Sequence, residues 1–182
     1  YYELLVEWNS FMNLTAITEF DQVITKHFLD SLSLVKVCDV AQAGRILDVG
    51  TGAGFPGIPL KIAFPEVEVV LLDSLNKRVK FLNEVIGQLG LSKITAIHGR
   101  AEDFARQKEY REQFDLVVSR AVANLSSLSE YCLPYVKVGG RFVSYKSGKL
   151  SEELTAAQKA IHVLGGEAKE PVYFQLTGTE DE

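Results

Sequence analysis

The spacing of apolar residues changes along this chain, and the changes divide it. Near the start, Leu4, Leu5, Trp8, Phe11 and Met12 recur at helical spacing and define one apolar face. Asn13-Leu-Thr-Ala-Ile-Thr18 breaks the pattern with polar and β-branched residues, as a loop does. Asp21 to Leu32 reads as helix again and carries a polar cluster of Lys26, His27 and Asp30. Ala41-Gln-Ala-Gly44 then marks a boundary. We therefore expect a helical N-terminal extension over 1–40 and a main domain over 41–182.

From Arg45 onward, short apolar runs alternate with helical patterns. Ile46, Leu47 and Val49 suit a strand buried on both faces of a parallel sheet. Further strands are expected at Val67–Leu72 (ending in Asp73), Ile94–His98, Phe114–Val118, Arg141–Lys146 and Val172–Leu176. Between the second and third strands, Leu75, Val79, Leu82, Ile86 and Leu89 form a helical stripe, with Ser74 as its cap and Gly90 as its stop. Helices are also expected near Leu125–Tyr135 and Glu152–Leu164. Strands separated by helices imply right-handed crossovers, hence an α/β, doubly wound, Rossmann-like sheet.

The stretch with the most chemistry follows the first strand. Gly50, Gly52, Gly54 and Gly57 fall within eight residues. Glycine permits a sharp turn and close approach of a ligand, so a Cβ at Gly52 or Gly54 would distort the turn or block the site. Pro56 and Pro59 fit the first turn of a helix. Strand, glycine turn and helix start make a corner for a nucleotide or an adenosyl group, although glycine-rich turns also close ordinary βα units. Gly52-x-Gly54-x-x-Gly57, with Asp73 further on, satisfies the dinucleotide fingerprint. Asp48, inside the strand, can pair with the backbone of the glycine turn or face a cationic ligand; an acid-lined pocket repels pyrophosphate and suits the sulfonium and ammonium of S-adenosylmethionine.

Ligands in such sheets bind beyond the carboxyl ends of the strands. Asp73 ends its strand where a carboxylate can bind ribose hydroxyls, or can simply cap a helix. Ala101-Glu102 can frame an adenine through a backbone N–H. Arg120 follows the fourth strand, where a methyl acceptor should arrive, or where it could pair with an acid such as Glu102. Lys146 follows the fifth.

Composition narrows the partners. The 182 residues are 47% hydrophobic, enough for one α/β domain and a small extension. No apolar run of about 18 residues occurs, so no membrane span is expected. The chain starts at Tyr1, not at a methionine, so further residues are expected upstream. Two cysteines without a CxxC pair, and three histidines without ligand spacing, suggest a reducing cytoplasm and no metal site. The net charge of −5 counts against broad nucleic-acid binding but allows a local basic rim of Lys26, His27, Lys77, Arg78, Arg100, Arg120 and Lys146.

Several stretches resemble one family. They are Asn13-Leu-Thr-Ala-Ile17, His27-x-x-Asp-Ser-Leu32, Leu47-Asp-Val-Gly-Thr-Gly-x-Gly-x-Pro-Gly-Ile-Pro-Leu60, Leu72-Asp-Ser-x-x-Lys-Arg-Val-x-Phe-Leu82, Arg100-Ala-Glu-Asp-Phe104 and Val118-Ser-Arg-Ala-Val-Ala123. The chain is similar over nearly its whole length to bacterial 16S ribosomal RNA guanine-N7 methyltransferases of the glucose-inhibited division protein B type. The resemblance implies S-adenosylmethionine bound at positions matching Gly50, Phe55, Ala101-Glu102 and Arg120. It also implies a cytoplasmic enzyme acting on 16S ribosomal RNA or the small ribosomal subunit. The resemblance also implies a final antiparallel edge strand, which is expected to fall outside the 182 residues. A small-molecule or protein methyltransferase, a dinucleotide-dependent oxidoreductase and a non-catalytic ligand-sensing domain are the competing readings. Guanine N7 has a free in-plane lone pair, so its methylation requires no general base. Arg120 is then the catalytic candidate, orienting the acceptor or contacting the cofactor.

Overall fold

The computed structural model describes residues 1–120, 122–148 and 150–178. Five strands form one parallel sheet: β1 (Arg45–Val49), β2 (Glu68–Asp73), β3 (Ile94–His98), β4 (Phe114–Arg120) and β5 (Val136–Tyr145). Their order is β3-β2-β1-β4-β5, as expected for a doubly wound sheet. Asp48 lies opposite Leu71 on one side and Val118 on the other, so β1 is central. The chain leaves β1 for β2 and returns to β4 on the other side, which puts the switch point directly after β1.

Helices cover both faces: α4 (Gly57–Ala63), α5 (Asn76–Gln88), α6 (Ala101–Phe104), α7 (Leu125–Cys132) and α8 (Leu150–Val163) follow the strands in turn. One apolar layer holds Ile46, Leu71, Phe81, Leu82 and Val118, and the opposite layer holds Leu47, Val70, Val117, Leu128 and Tyr135. Alternate residues of β1 therefore enter opposite layers, which is why Ile46, Leu47 and Val49 are all apolar and Asp48 is the buried exception. Each such side chain contributes about 1.5–3 kcal/mol when fully buried.

The N-terminal segment comprises α1 (Tyr2–Met12), α2 (Phe20–Val23), a π-helical turn over Ile24–Leu29, α3 (Asp30–Leu32) and a 3-10 turn over Ser33–Lys36. Leu4, Leu5, Val23 and Leu34 join the same layer as Ile46, Phe55 and Ile58, so this arm shares the core of the sheet. Among the described residues, no helix is long and apolar enough to cross a membrane.

The structure corrects three local expectations. Val172–Leu176 forms no strand. Val172 and Tyr173 are exposed, and the Phe174 ring sits 5.2 Å from the Lys36 ammonium, so this segment docks through a side chain rather than a backbone ladder. The buried stripe of α5 is Val79, Phe81, Leu82 and Val85, while Leu75 and Leu89 are exposed because they only flank the helix. Leu75, not Ser74, is the N-cap residue; Asp73 Oδ1 accepts its amide hydrogen at 2.9 Å. Ala121, within the Ser119–Ala123 run, and 179–182 at the end lie outside the described residues.

Candidate functional site

The corner after β1 is built by two acids. Asp48 is fully buried, and its Oδ2 accepts from the Thr51 hydroxyl at 2.7 Å and from the Gly57 amide at 2.8 Å. Its Oδ1 has no hydrogen-bond partner among the described residues. Burial pushes this carboxyl up to about 6, against the pull of the Thr51 and Gly57 hydrogen bonds. Asp73, also buried, accepts the Gly52 amide on Oδ2 at 2.9 Å as well as the Leu75 amide on Oδ1. The turn is further tied to β2 by Gly50 and Thr51 amides donating to Leu72 O at 2.8 and 3.1 Å. Ser119 Oγ donates to Val49 O at 2.9 Å and closes the gap between β1 and β4 beyond their ladder.

The four glycines of this turn differ in role. Gly52 has φ +62°, and a Cβ there would meet nothing within 4 Å, so it faces open space. A Cβ on Gly54 would lie 2.5 Å from Ile58 Cδ1 and 2.6 Å from the Tyr1 hydroxyl. One on Gly57 would lie 2.2 Å from Leu71 Cδ2. Gly54 and Gly57 are thus packing positions, and Gly52 is the one open to a ligand. Gly50, with φ +68°, would bring a Cβ to 2.6 Å from Val122.

Arg120 ends β4 and turns toward the N-terminal arm. Its Nη1 donates to Asp30 Oδ2 at 2.8 Å and to Lys26 O at 2.9 Å, and its Nη2 donates to His27 Nδ1 at 3.0 Å. The ion-pair partner is therefore Asp30 and not Glu102, which lies beside Arg100 at 3.5 Å. A guanidinium can only donate, so Nδ1 accepts and the His27 proton sits on Nε2, facing Thr15 Oγ1 at 2.9 Å. Burial, with Arg120 beside it, lowers His27 to about 4, so the ring is neutral at pH 7. The imidazole stacks on Phe55 at 4.5 Å and 17°, and the Arg120 guanidinium lies 5.3 Å from the same ring. Tyr1 stacks on Phe55 at 5.3 Å and donates its hydroxyl hydrogen to Ala53 O.

The structure thus gathers Asp48, Gly50, Gly52, Gly54, Phe55, Asp73 and Arg120 around the switch point. Ala101 and Glu102 open α6 directly after β3, where first-turn amides have no intrahelical acceptor. Of the basic rim, Lys26, Lys77 and Arg100 are exposed. His27 is buried and neutral, so it is not a phosphate-binding cation on that rim. Arg78 lies 3.5 Å from Asp73, and Lys146 is held by Glu153 at 2.8 Å and Ala123 O at 2.5 Å. Thr51 escaped the sequence reading, though a hydroxyl three residues after a strand acid is the signal for it.

A parallel sheet in this order, with an acid-held glycine turn at its switch point, matches the class I methyltransferase fold. A putative O-methyltransferase from Klebsiella pneumoniae shares it (TM-score 0.59, 18% identity, 91% of this chain and 78% of that one). An S-adenosylmethionine-dependent O-methyltransferase from Thermotoga maritima also shares it (TM-score 0.58, 20% identity, 87% and 55%). At the level of sequence, the chain belongs to the GidB family, described as rRNA small subunit methyltransferase G, which it matches over residues 1–178. The ribosomal RNA small subunit methyltransferase G of Lachnoclostridium phytofermentans is 62% identical over 182 residues, covering all of this chain and 75% of that protein. Its counterpart in Desulforamulus reducens is 58% identical over 166 residues, covering 91% and 69%.

Proposed function

We propose that this chain transfers a methyl group from S-adenosylmethionine to N7 of a guanine in 16S ribosomal RNA, within the small subunit or its RNA, in the cytoplasm. Its membership of the GidB family supports ribosomal RNA as the substrate class. One structural observation carries the choice of cofactor: Asp48 is buried, with an oxygen that has no partner among the described residues, beside a glycine turn whose Gly52 faces open space. A cationic cofactor offsets that charge, and a pyrophosphate would be repelled by it. The Gly57 amide at the start of α4, which a dinucleotide phosphate would use, is already taken by Asp48. This weighs against the oxidoreductase reading.

Asp73 has lone pairs to spare for ribose hydroxyls beyond its two amide bonds, and Ala101-Glu102 offers amides to an adenine edge. Asp48 and Gly50 serve the charged amino-acid end; Phe55 and Arg120 border the same corner. Bound S-adenosylmethionine supplies an electrophilic methyl group. The N7 lone pair lies in the base plane and carries no proton, so the chain needs no general base. Both ring nitrogens of His27 are engaged, and the His98 Nε2 sits 3.1 Å from Ser74 O. What the chain supplies is orientation, worth several kcal/mol of a barrier when the geometry is fixed. Arg120, tied at three points, is suited to hold the acceptor or the cofactor in place. Exposed Lys26, Lys77 and Arg100 serve phosphates beside the corner.

The test is transfer of labelled methyl from S-adenosylmethionine to unmodified small subunits and to free 16S RNA, followed by nucleoside analysis. Label in 7-methylguanosine, with a single-turnover rate flat across neutral pH, is the expected result. Label in protein, in small molecules or at another base atom would overturn it.

A further inference from the structure

At the end of the sheet opposite the glycine corner, the segment between α6 and β4 meets the start of β5. Together they line a groove of about 680 Å³ with Arg106, Lys108, Arg111, Glu112, Lys137 and Val138 among its walls. Four cations and one acid, Glu112, line it, so the groove carries net positive charge in a chain of net charge −5, even with Lys137 paired to Asp115. The groove is built rather than loose. Glu112 N donates to Pro134 O at 2.9 Å, Arg111 Nη1 donates to Ala105 O at 3.4 Å, and Tyr110 packs edge-on against Phe104 at 5.0 Å. Asp115 fixes Lys137 at 3.1 Å. Among the described residues, the Arg106 and Lys108 side chains have no ion-pair partner, and both are exposed. Val138 stands at the rim with 98% exposure, an apolar side chain held out in water where the β5 register shifts beside Gly139.

We propose that this groove is a second contact surface for ribosomal RNA, gripping backbone phosphates at a distance from the methylated base. Cations without partners attract phosphates and release their counterions, and Val138 offers an apolar surface to an adjoining ribose or base. The seven residues of β4 separate the groove from the corner by about 20 Å. Only an acceptor larger than a nucleotide can touch both ends, so the groove selects for an RNA long enough to span them, whether free or within the subunit. The inference rests on the proposed ribosomal RNA substrate.

The test scores binding apart from turnover. For Arg106→Glu/Lys108→Glu and for Arg106→Gln/Lys108→Gln, affinity for small subunits and for naked 16S RNA is measured across a salt series, alongside S-adenosylhomocysteine affinity and kcat. The expected result for the Glu pair is a roughly ten- to hundredfold weaker affinity for both RNA forms. Its log-affinity against log-salt slope should be shallower by about two, with a smaller change for the Gln pair. Cofactor affinity and kcat at saturating subunit should stay unchanged. Wild-type affinity and slope in both variants would overturn the proposal, as would a loss confined to subunits and absent on naked RNA, which would assign the groove to a ribosomal protein. Failure of the wild type to methylate RNA while this binding pattern persists would overturn the proposed function and leave the groove standing.

Discussion

Asp30 and Arg120 are 90 residues apart in sequence and 2.8 Å apart in space, and their ion pair fastens the N-terminal arm to the end of β4. Side-chain exposures of 26% and 16% place the pair between a solvated surface bridge and a buried one. Asp30→Ala should cost about 1–3 kcal/mol of stability, and Asp30→Asn less, since an amide oxygen still accepts. Denaturant unfolding, with limited proteolysis of residues 1–40, measures this. An unaltered unfolding free energy in Asp30→Ala would remove the pair as the clasp.

Asp48 makes the cofactor site pH-sensitive. Its folded carboxyl titrates near 6 against 3.8 for the free acid, so the fold favours the protonated form. That contribution is fully present below 3.8 and is lost as pH rises through about 6. A cationic ligand favours the opposite form. S-adenosylmethionine should therefore bind more tightly as pH rises from 5 to 7, releasing a proton near pH 6. Calorimetry in buffers of different ionisation enthalpy reads that proton. Asp48→Asn should abolish the proton release near pH 6 and weaken the cofactor at least about tenfold. Tight, pH-independent binding by Asp48→Asn would place the cation elsewhere.

Gly52 and Gly57 should separate binding from packing. Gly52→Ala puts a methyl into open space at a positive φ. It should cost about 1–2 kcal/mol of stability and disproportionately weaken S-adenosylhomocysteine. Gly57→Ala forces a methyl against Leu71 at 2.2 Å and should destabilise by about 1–3 kcal/mol or more. Thermal unfolding and titration calorimetry on both variants give the comparison, and equal ligand affinity in Gly52→Ala and wild type would contradict it.

His27 should set the acid limit of the arm. Its pKa falls from 6.5 to about 4 on folding, so the stability it contributes is present above 6.5 and is lost as pH drops toward 4. The loss is of order 3 kcal/mol at most. Asp48 works in the other direction over part of the same range. The wild type and His27→Gln, compared in urea at pH 7.5 and 4.5, should differ in pH dependence by this amount. Identical dependence would mean that the ring is not buried as a neutral base.

Much of this was legible in the sequence because it is local. Ile46–Val49 followed by glycines and prolines dictates strand, turn and helix with no help from the rest of the chain, and Asp48 and Asp73 were found by their strand positions. The partners of those residues were less legible. Asp73 could be read as a ribose ligand or a cap, and the structure gives its oxygens to the Gly52 and Leu75 amides without exhausting them. Arg120 could be placed at a strand end, but nothing near it in sequence points to Lys26, His27 and Asp30. The Val172–Leu176 run has strand-like residues, yet pairing depends on a neighbouring edge, which composition does not encode.

The clasp around Arg120 also sets an order of events during synthesis. His27 is made 93 residues before the guanidinium that holds it. At about 5–20 residues per second, the arm waits roughly five to twenty seconds for its anchor. Leu4, Leu5 and Val23 spend that interval before β4 has joined the sheet they pack against. An arm translated before every strand of the sheet is thus secured only when β4 ends, and the nascent arm needs shielding while β4 is still being made.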